Sequence, residues 1–137
     1  MGLILDTSIL IASERRGDAP EDILERAVSV LGETDIAIST VSVVELTHGI
    51  YRAKNSVARE RRRIFCEDTF RDLVVHPMTL AIAQLAGKIE GEQASNGISI
   101  AFEDLVIGAT ALHLGYDVAT LNTKHFLLIP GLIVVTL

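Results

Sequence analysis

Four oxygen-bearing side chains stand where they could do chemistry. Asp6 closes the apolar run Leu3-Ile4-Leu5, Glu45 lies between Val44 and Leu46, Asp104 opens an otherwise apolar segment reaching Leu114, and Asn122 follows Thr120-Leu121. Carboxylates gathered at low dielectric repel one another and drive one pKa up, unless a cation neutralises them. Oxygen-rich sets of this kind suit Mg²⁺ or Mn²⁺, which leave positions for water and phosphate oxygens. The chemistry indicated is metal-assisted hydrolysis of a phosphodiester. Each residue alone has an ordinary alternative: Asp6 as a turn or cap residue, Asp104 as an acid at the positive end of a helix, Asn122 as a turn residue. Glu45 is harder to place so, because its surroundings from Val41 to Ile50 read as buried and glutamate is rarely buried unpaired. The joint pattern carries the reading.

The elements around these residues explain how distant positions can meet. Leu3-Ile4-Leu5 is an unalternating apolar run, suited to a strand buried on both faces, so Asp6 falls at its C-terminal end. A short helix starts near Ser8, capped by Thr7 or Ser8, and breaks at Gly17 to Pro20; Pro20 with Glu21 and Asp22 opens a second helix to about Leu31. A strand over 35–39 follows, then a helix capped by Thr40 or Ser42 and carrying Glu45. Residues 55–72 make a charged helix with Val57, Ile64, Phe65 and Leu73 as its apolar seam. A strand over 73–76, an amphipathic helix over 79–95 and an apolar helix over 103–114 come next. A strand over 118–121, a turn or short helix over 122–127 and a strand over 132–136 complete the pattern. Strands alternating with helices predict an α/β fold, a three-layer α/β/α sandwich with a mostly parallel central sheet. Ligands in such folds bind beyond the carboxyl ends of the strands.

The chain has 137 residues and reads as one domain over 1–137, without repeats or linkers. Cys66 is the lone cysteine, so no internal disulfide or cysteine zinc cluster is expected. The N-terminus lacks the features of a signal peptide and no run of apolar residues suits a membrane span, which predicts a cytoplasmic protein. The net charge of -6 argues, on average, against a passive nucleic-acid binder.

Four segments together carry a resemblance. Ile4-Leu5-Asp6-Thr7-Ser8, Ser39-Thr40-Val41-Ser42-Val43-Val44-Glu45-Leu46 with Gly49-Ile50, Phe102-Glu103-Asp104-Leu105-Val106-Ile107-Gly108-Ala109-Thr110-Ala111, and Ala119-Thr120-Leu121-Asn122-Thr123-Lys124-His125-Phe126 resemble, in order and spacing, the four motifs of the PIN-domain family. They look most like those of its VapC-type toxins, and the resemblance spans residues 3 to about 135. It implies that Asp6, Glu45 and Asp104 bind Mg²⁺ or Mn²⁺, and that an activated water attacks an RNA phosphodiester to leave 5′-phosphate and 3′-hydroxyl ends. It also implies that Thr7 or Ser8 and Thr120 orient the carboxylates or the water. Where the family often has a fourth acid, this chain has Asn122, whose amide can position water without adding charge. One metal in the free protein is then expected, with a second recruited by substrate phosphate. The resemblance further implies a VapB-type antitoxin, whose C-terminal segment fills an apolar groove and directs a basic side chain toward the carboxylates, and a homodimer.

Six of the twelve basic residues, Arg52, Lys54, Arg59, Arg61, Arg62 and Arg63, crowd together after Glu45. They read either as a solvated helix face paired with Glu60, Glu67 and Asp68, or as a track for RNA phosphates that Arg15, Arg16 and Lys124 extend. Few aromatics are available for base stacking, so recognition is expected to rest on RNA shape and backbone. His48 reads as a structural residue near Glu45, and His125 as a packing or capping residue. Two other classes compete: a catalytically degenerate binding or regulatory domain with Asn122 marking the loss, and a phosphoacceptor receiver, whose paired acids and lysine are not found. A nuclease acting on DNA shares the same metal chemistry.

Overall fold

The computed structural model describes residues 1–137. Its elements, in chain order, are β1 (Gly2–Leu5), α1 (Thr7–Arg16), α2 (Pro20–Leu31), β2 (Asp35–Ser39), α3 (Thr40–Tyr51) and α4 (Ser56–Asp72). They continue with β3 (Val74–His76), α5 (Leu80–Ser95), α6 (Phe102–Leu114), β4 (Asp117–Ala119), α7 (Thr123–Phe126) and β5 (Val134–Val135). The strands form one sheet in the order β3-β2-β1-β4-β5, with every neighbouring pair parallel. This is the predicted α/β sandwich.

Strand composition follows from having a helical layer on each side. Side chains alternate between faces, so Leu3 and Leu5 of β1, Ile36 and Ile38 of β2 and Ala119 of β4 enter one core with Ile9, Leu10, Ile23, Leu46 and Phe65. Ile4, Ala37 and Val118, one residue out of phase, enter the other core with Ile82, Leu105, Ile107 and Phe126. Helices α1 to α4 therefore cover one face and α5 to α7 the other. A strand facing apolar layers on both sides has no solvent face to keep polar. Helix α6 is buried from Leu105 through Ala111. Gly108 lets α6 approach the segment after α7, because a Cβ there would lie 2.4 Å from Ile129 Cδ1.

The chain order reverses between β1 and β4. From β1 the chain moves outward to β2 and β3, then crosses back to β4 and β5, leaving a switch point at the carboxyl ends of the two central strands. Three of the four sequence-selected oxygen donors follow strands β1, β2 and β4, and the fourth begins α6. No helix is long and apolar enough to cross a membrane.

Several boundaries and caps differ from the sequence reading. Asp6, not Thr7 or Ser8, occupies the N-cap of α1, and its carboxylate makes no cap hydrogen bond. Ser39, not Thr40 or Ser42, caps α3 by accepting from the Val41 N–H at 3.2 Å. Strand β4 ends at Ala119, because Thr120 turns inward to a carboxylate while Leu121 is exposed. The third strand begins at Val74, with Leu73 serving as the buried C-cap of α4. The last strand is shortened to an edge pair. In α4, Val57 and Ile64 are exposed, and the buried seam is Phe65, Cys66 and Thr69. Helix α3 buries only Ser42 and Leu46, with Val44 67% exposed, so the stretch around Glu45 is half-buried rather than fully buried.

Phe126 anchors the short α7 by complete burial in the second core. Phe126→Ala is expected to lower the unfolding free energy by about 3–5 kcal/mol in urea titrations. A loss below about 1 kcal/mol would show that α7 is held by other contacts.

Candidate active site

Asp6 is the most enclosed of the four donors, at 4% exposure. Its backbone N–H donates to the Ala119 carbonyl at 2.9 Å, joining the ends of β1 and β4. Its Oδ2 accepts from the hydroxyls of Thr120 and Ser8, each at 2.7 Å. Those hydroxyls are themselves held, since Leu121 N–H donates to Ser8 Oγ at 3.1 Å and Asn122 N–H donates to Thr120 Oγ1 at 2.9 Å. One carboxylate oxygen is thus used structurally. Oδ1 has no partner.

Glu45 is held in the same way from the opposite wall. Thr7 Oγ1 donates to Glu45 Oε1 at 3.0 Å, and Ser42 Oγ lies 2.8 Å from Thr7 Oγ1, placed to donate in turn. Ser42 and Glu45 are three residues apart on α3, so both face α1. Asp104 lies in the first turn of α6, where unpaired backbone N–H groups favour an anion. Its Oδ2 lies 3.3 Å from His125 Nδ1. Asn122 is the exposed N-cap of α7, and its side chain makes no cap hydrogen bond.

These residues share one open cleft of about 310 Å³, lined by Asp6, Glu45, Glu103, Asp104, Asn122 and His125 among others. Burial is the largest influence on Glu45 and holds its carboxyl above the ordinary value, opposed by the Thr7 hydrogen bond and reinforced by the charges of Glu103, Asp6 and Asp104. Asp104 is also raised, first by burial and then by Asp6, with His125 opposing. A divalent cation would relieve this repulsion. The donor set is all oxygen and suits a hard ion, with Asp6, Glu45 and Asp104 each tied through one oxygen and open at the other. In this arrangement no three acidic, histidine or cysteine side chains lie close enough together to share an ion.

Glu103 and Glu14 were not singled out from sequence, and Ser42 was read only as a candidate helix cap. Glu103 precedes Asp104 in the first turn of α6 and lines the same cleft, so its neighbour and its helix position were the available clues. His125 is mostly exposed and sits against Asp104; Phe126 beside it does the packing. His48 is exposed on α3 and outside the cleft. A smaller cavity of about 130 Å³ adjoins Glu45, with Glu14, Arg15, Leu46, Arg62 and Cys66 in its wall. Glu14 Oε1 is buried without a hydrogen bond, and Arg62 Nε is 3.7 Å away.

The basic residues divide by partner. Arg16 pairs with Asp18 at 3.0 Å, Arg62 donates to the Gly49 carbonyl at 2.9 Å, and Arg63 bridges Glu60 and Glu67. Arg15, Arg52, Lys54, Arg59 and Lys124 are exposed and carry no ion pair.

Raised carboxyl pKa values have a definite sign for stability. Their contribution is complete below the unfolded-state pKa and is lost as pH climbs through the folded-state value. Glu45→Gln keeps an oxygen for Thr7 and removes a repelled charge. In chelator-treated protein it should melt above wild type at pH 7, with the difference closing by about pH 4. Equal melting temperatures at pH 7 would contradict this.

The comparisons with known proteins agree with this architecture. A model of the PIN domain matches residues 3–130. Ribonuclease VapC of Rickettsia bellii is 36% identical over 136 residues, covering 99% of this chain and 96% of that protein. The crystal structure of DNA-bound VapBC from Salmonella typhimurium is similar with a TM-score of 0.83 and 27% identity, covering 99% of this chain and 98% of that one. VapBC2 from Rickettsia felis, bound to a promoter DNA fragment, gives a TM-score of 0.85 at 23% identity, covering 100% and 99%, which is a likeness of fold. The domain match takes in β1 through α7 and so every wall of the acidic cleft. By that match and by the near full-length identity to a VapC protein, the chain belongs to the PIN-domain family, in its VapC group.

Proposed function

We propose that this chain is a Mg²⁺- or Mn²⁺-dependent endoribonuclease that acts as the toxin of a toxin-antitoxin pair. The observation that carries the reading is the meeting of Asp6, Glu45 and Asp104 in one cleft, each fixed through a single oxygen. These three would hold the cation, which when bound lowers the pKa of a water and offsets charge on the phosphoryl oxygens. Thr120 and Ser8 keep Asp6 oriented, and Thr7 with Ser42 does the same for Glu45. Asn122 presents an amide carbonyl and NH₂ at the cleft for water or a phosphate oxygen. Water attacks phosphorus in line; the bond to the 3′ oxygen breaks, giving 5′-phosphate and 3′-hydroxyl ends. A protein nucleophile is not favoured, because burial pushes the Cys66 thiol up to about 11 and the Ser8 and Thr120 hydroxyls are committed to Asp6.

RNA is favoured as the substrate by the name of the Rickettsia bellii relative, a ribonuclease. The unpaired Arg15, Arg52, Lys54, Arg59 and Lys124 are available for its phosphates. A VapB-type antitoxin is favoured by the solved VapBC structures. The buried, unbonded Glu14 Oε1 in the cavity beside Glu45 would accept a basic side chain from such a partner. A homodimer draws support from Val44, Met78 and Phe102, exposed around one apolar groove.

A degenerate, non-catalytic domain is the competing reading, favoured by the neutral Asn122 and by carboxylates not yet gathered around one point. Purified protein should cleave structured RNA with Mg²⁺ or Mn²⁺ and stop when the metal is chelated. Asp6→Asn should lose the activity, and Thr120→Val should lower the rate by about tenfold to a hundredfold. If wild type and Asp6→Asn behave alike across metals, the enzymatic reading is wrong.

A further inference from the structure

Within the acidic cleft the carboxylates are not equivalent. Asp6 is tied by Thr120 and Ser8, Glu45 by Thr7, and Asp104 by His125. Glu103 lines the same cleft and has no hydrogen bond or ion pair to any residue. Its backbone is nevertheless well fixed, since α6 is buried continuously from Leu105 to Ala111 just beyond it. A fixed Cα with a free, exposed side chain gives a carboxylate that can swing at little cost. Glu103 stands in the same cleft lining as Asp6, Glu45 and Asp104. Asn122, also in the lining, brings no charge.

We infer that Glu103 is a fourth acidic ligand of this cleft, an untethered carboxylate on the first turn of α6 that reaches the divalent cation directly or through water. The inference rests on the metal-dependent reading proposed above. The three tethered carboxylates would hold the cation, and the free Glu103 side chain would add a fourth oxygen donor to it. The alternative role for an acid in the first helical turn is to favour the helix dipole. That role would affect folding stability and leave metal affinity alone.

Mn²⁺ titration by calorimetry, without RNA, separates these roles in wild type, Glu103→Gln, Glu103→Asp and Asp6→Asn, with melting temperatures measured in parallel. Glu103→Gln should weaken Mn²⁺ binding about tenfold, the scale found when an outer metal contact is removed, and Glu103→Asp should recover most of it. A Glu103→Gln variant that melts lower but binds Mn²⁺ like wild type would overturn the inference while leaving the nuclease proposal standing. Wild type that neither binds Mn²⁺ nor cleaves RNA would overturn both. Because Glu103 is exposed, the variants are expected to fold.

Discussion

The bond from Thr120 to Asp6 is the contact on which the rest of the cleft depends. It joins residues 114 positions apart, at 2.7 Å, in a nearly water-free position at the carboxyl ends of the two central strands. A carboxylate this enclosed is costly unless its charge is met by donors. Two hydroxyls meet it, and each hydroxyl is aligned by a backbone N–H from the segment leaving β4. The geometry of Asp6 is therefore set by β1–β4 pairing, from Leu3 opposite Asp117 to Leu5 opposite Ala119. A shift of one residue in that register would turn Thr120 away from the carboxylate.

The two apolar layers supply the rigidity that the acidic end lacks. Leu3 and Leu5 lock β1 to the layer of α1–α4, while Ile4 locks it to the layer of α5–α7. Helix α6 is held almost all round, which fixes the backbone of Glu103 and Asp104 at its exposed beginning. Mutual repulsion among the acids disfavours the ligand-free cleft, and burial of the strands outweighs it. Active sites that keep such repulsion exchange stability for affinity toward a cation.

Charge is segregated in a way that the net value of -6 conceals. Acidic groups concentrate at the strand ends, where burial strengthens their interaction. On α4 and near α1, several arginines are neutralised locally by Asp18, Glu60, Glu67, Asp68 and Asp72. Arg15, which borders the cavity beside Glu45, is free of such pairing. Long-range attraction toward a polyanion depends on the unpaired cations and their positions, and is screened beyond about 10 Å at ordinary salt.

Much of the layered fold was legible in the sequence because burial on both faces leaves an unalternating run such as Leu3-Ile4-Leu5, and because apolar helices end at glycines such as Gly115. Asp6, Asp104 and Asn122 are each ordinary alone, and with Glu45 they could be picked out only by their joint pattern, which the fold brings to one cleft. The exposed Val57 and Val44 were misjudged, since local composition does not say which side of a helix meets a neighbour. Which oxygen of each carboxylate is tied, that His125 faces Asp104, and that Glu103 alone is untethered were decided only by tertiary structure. Apolar periodicity is a local record of burial and survives in the linear chain. Hydrogen bonds between β1 and β4, or between α1 and α3, depend on register and packing between segments, which no local stretch of sequence contains.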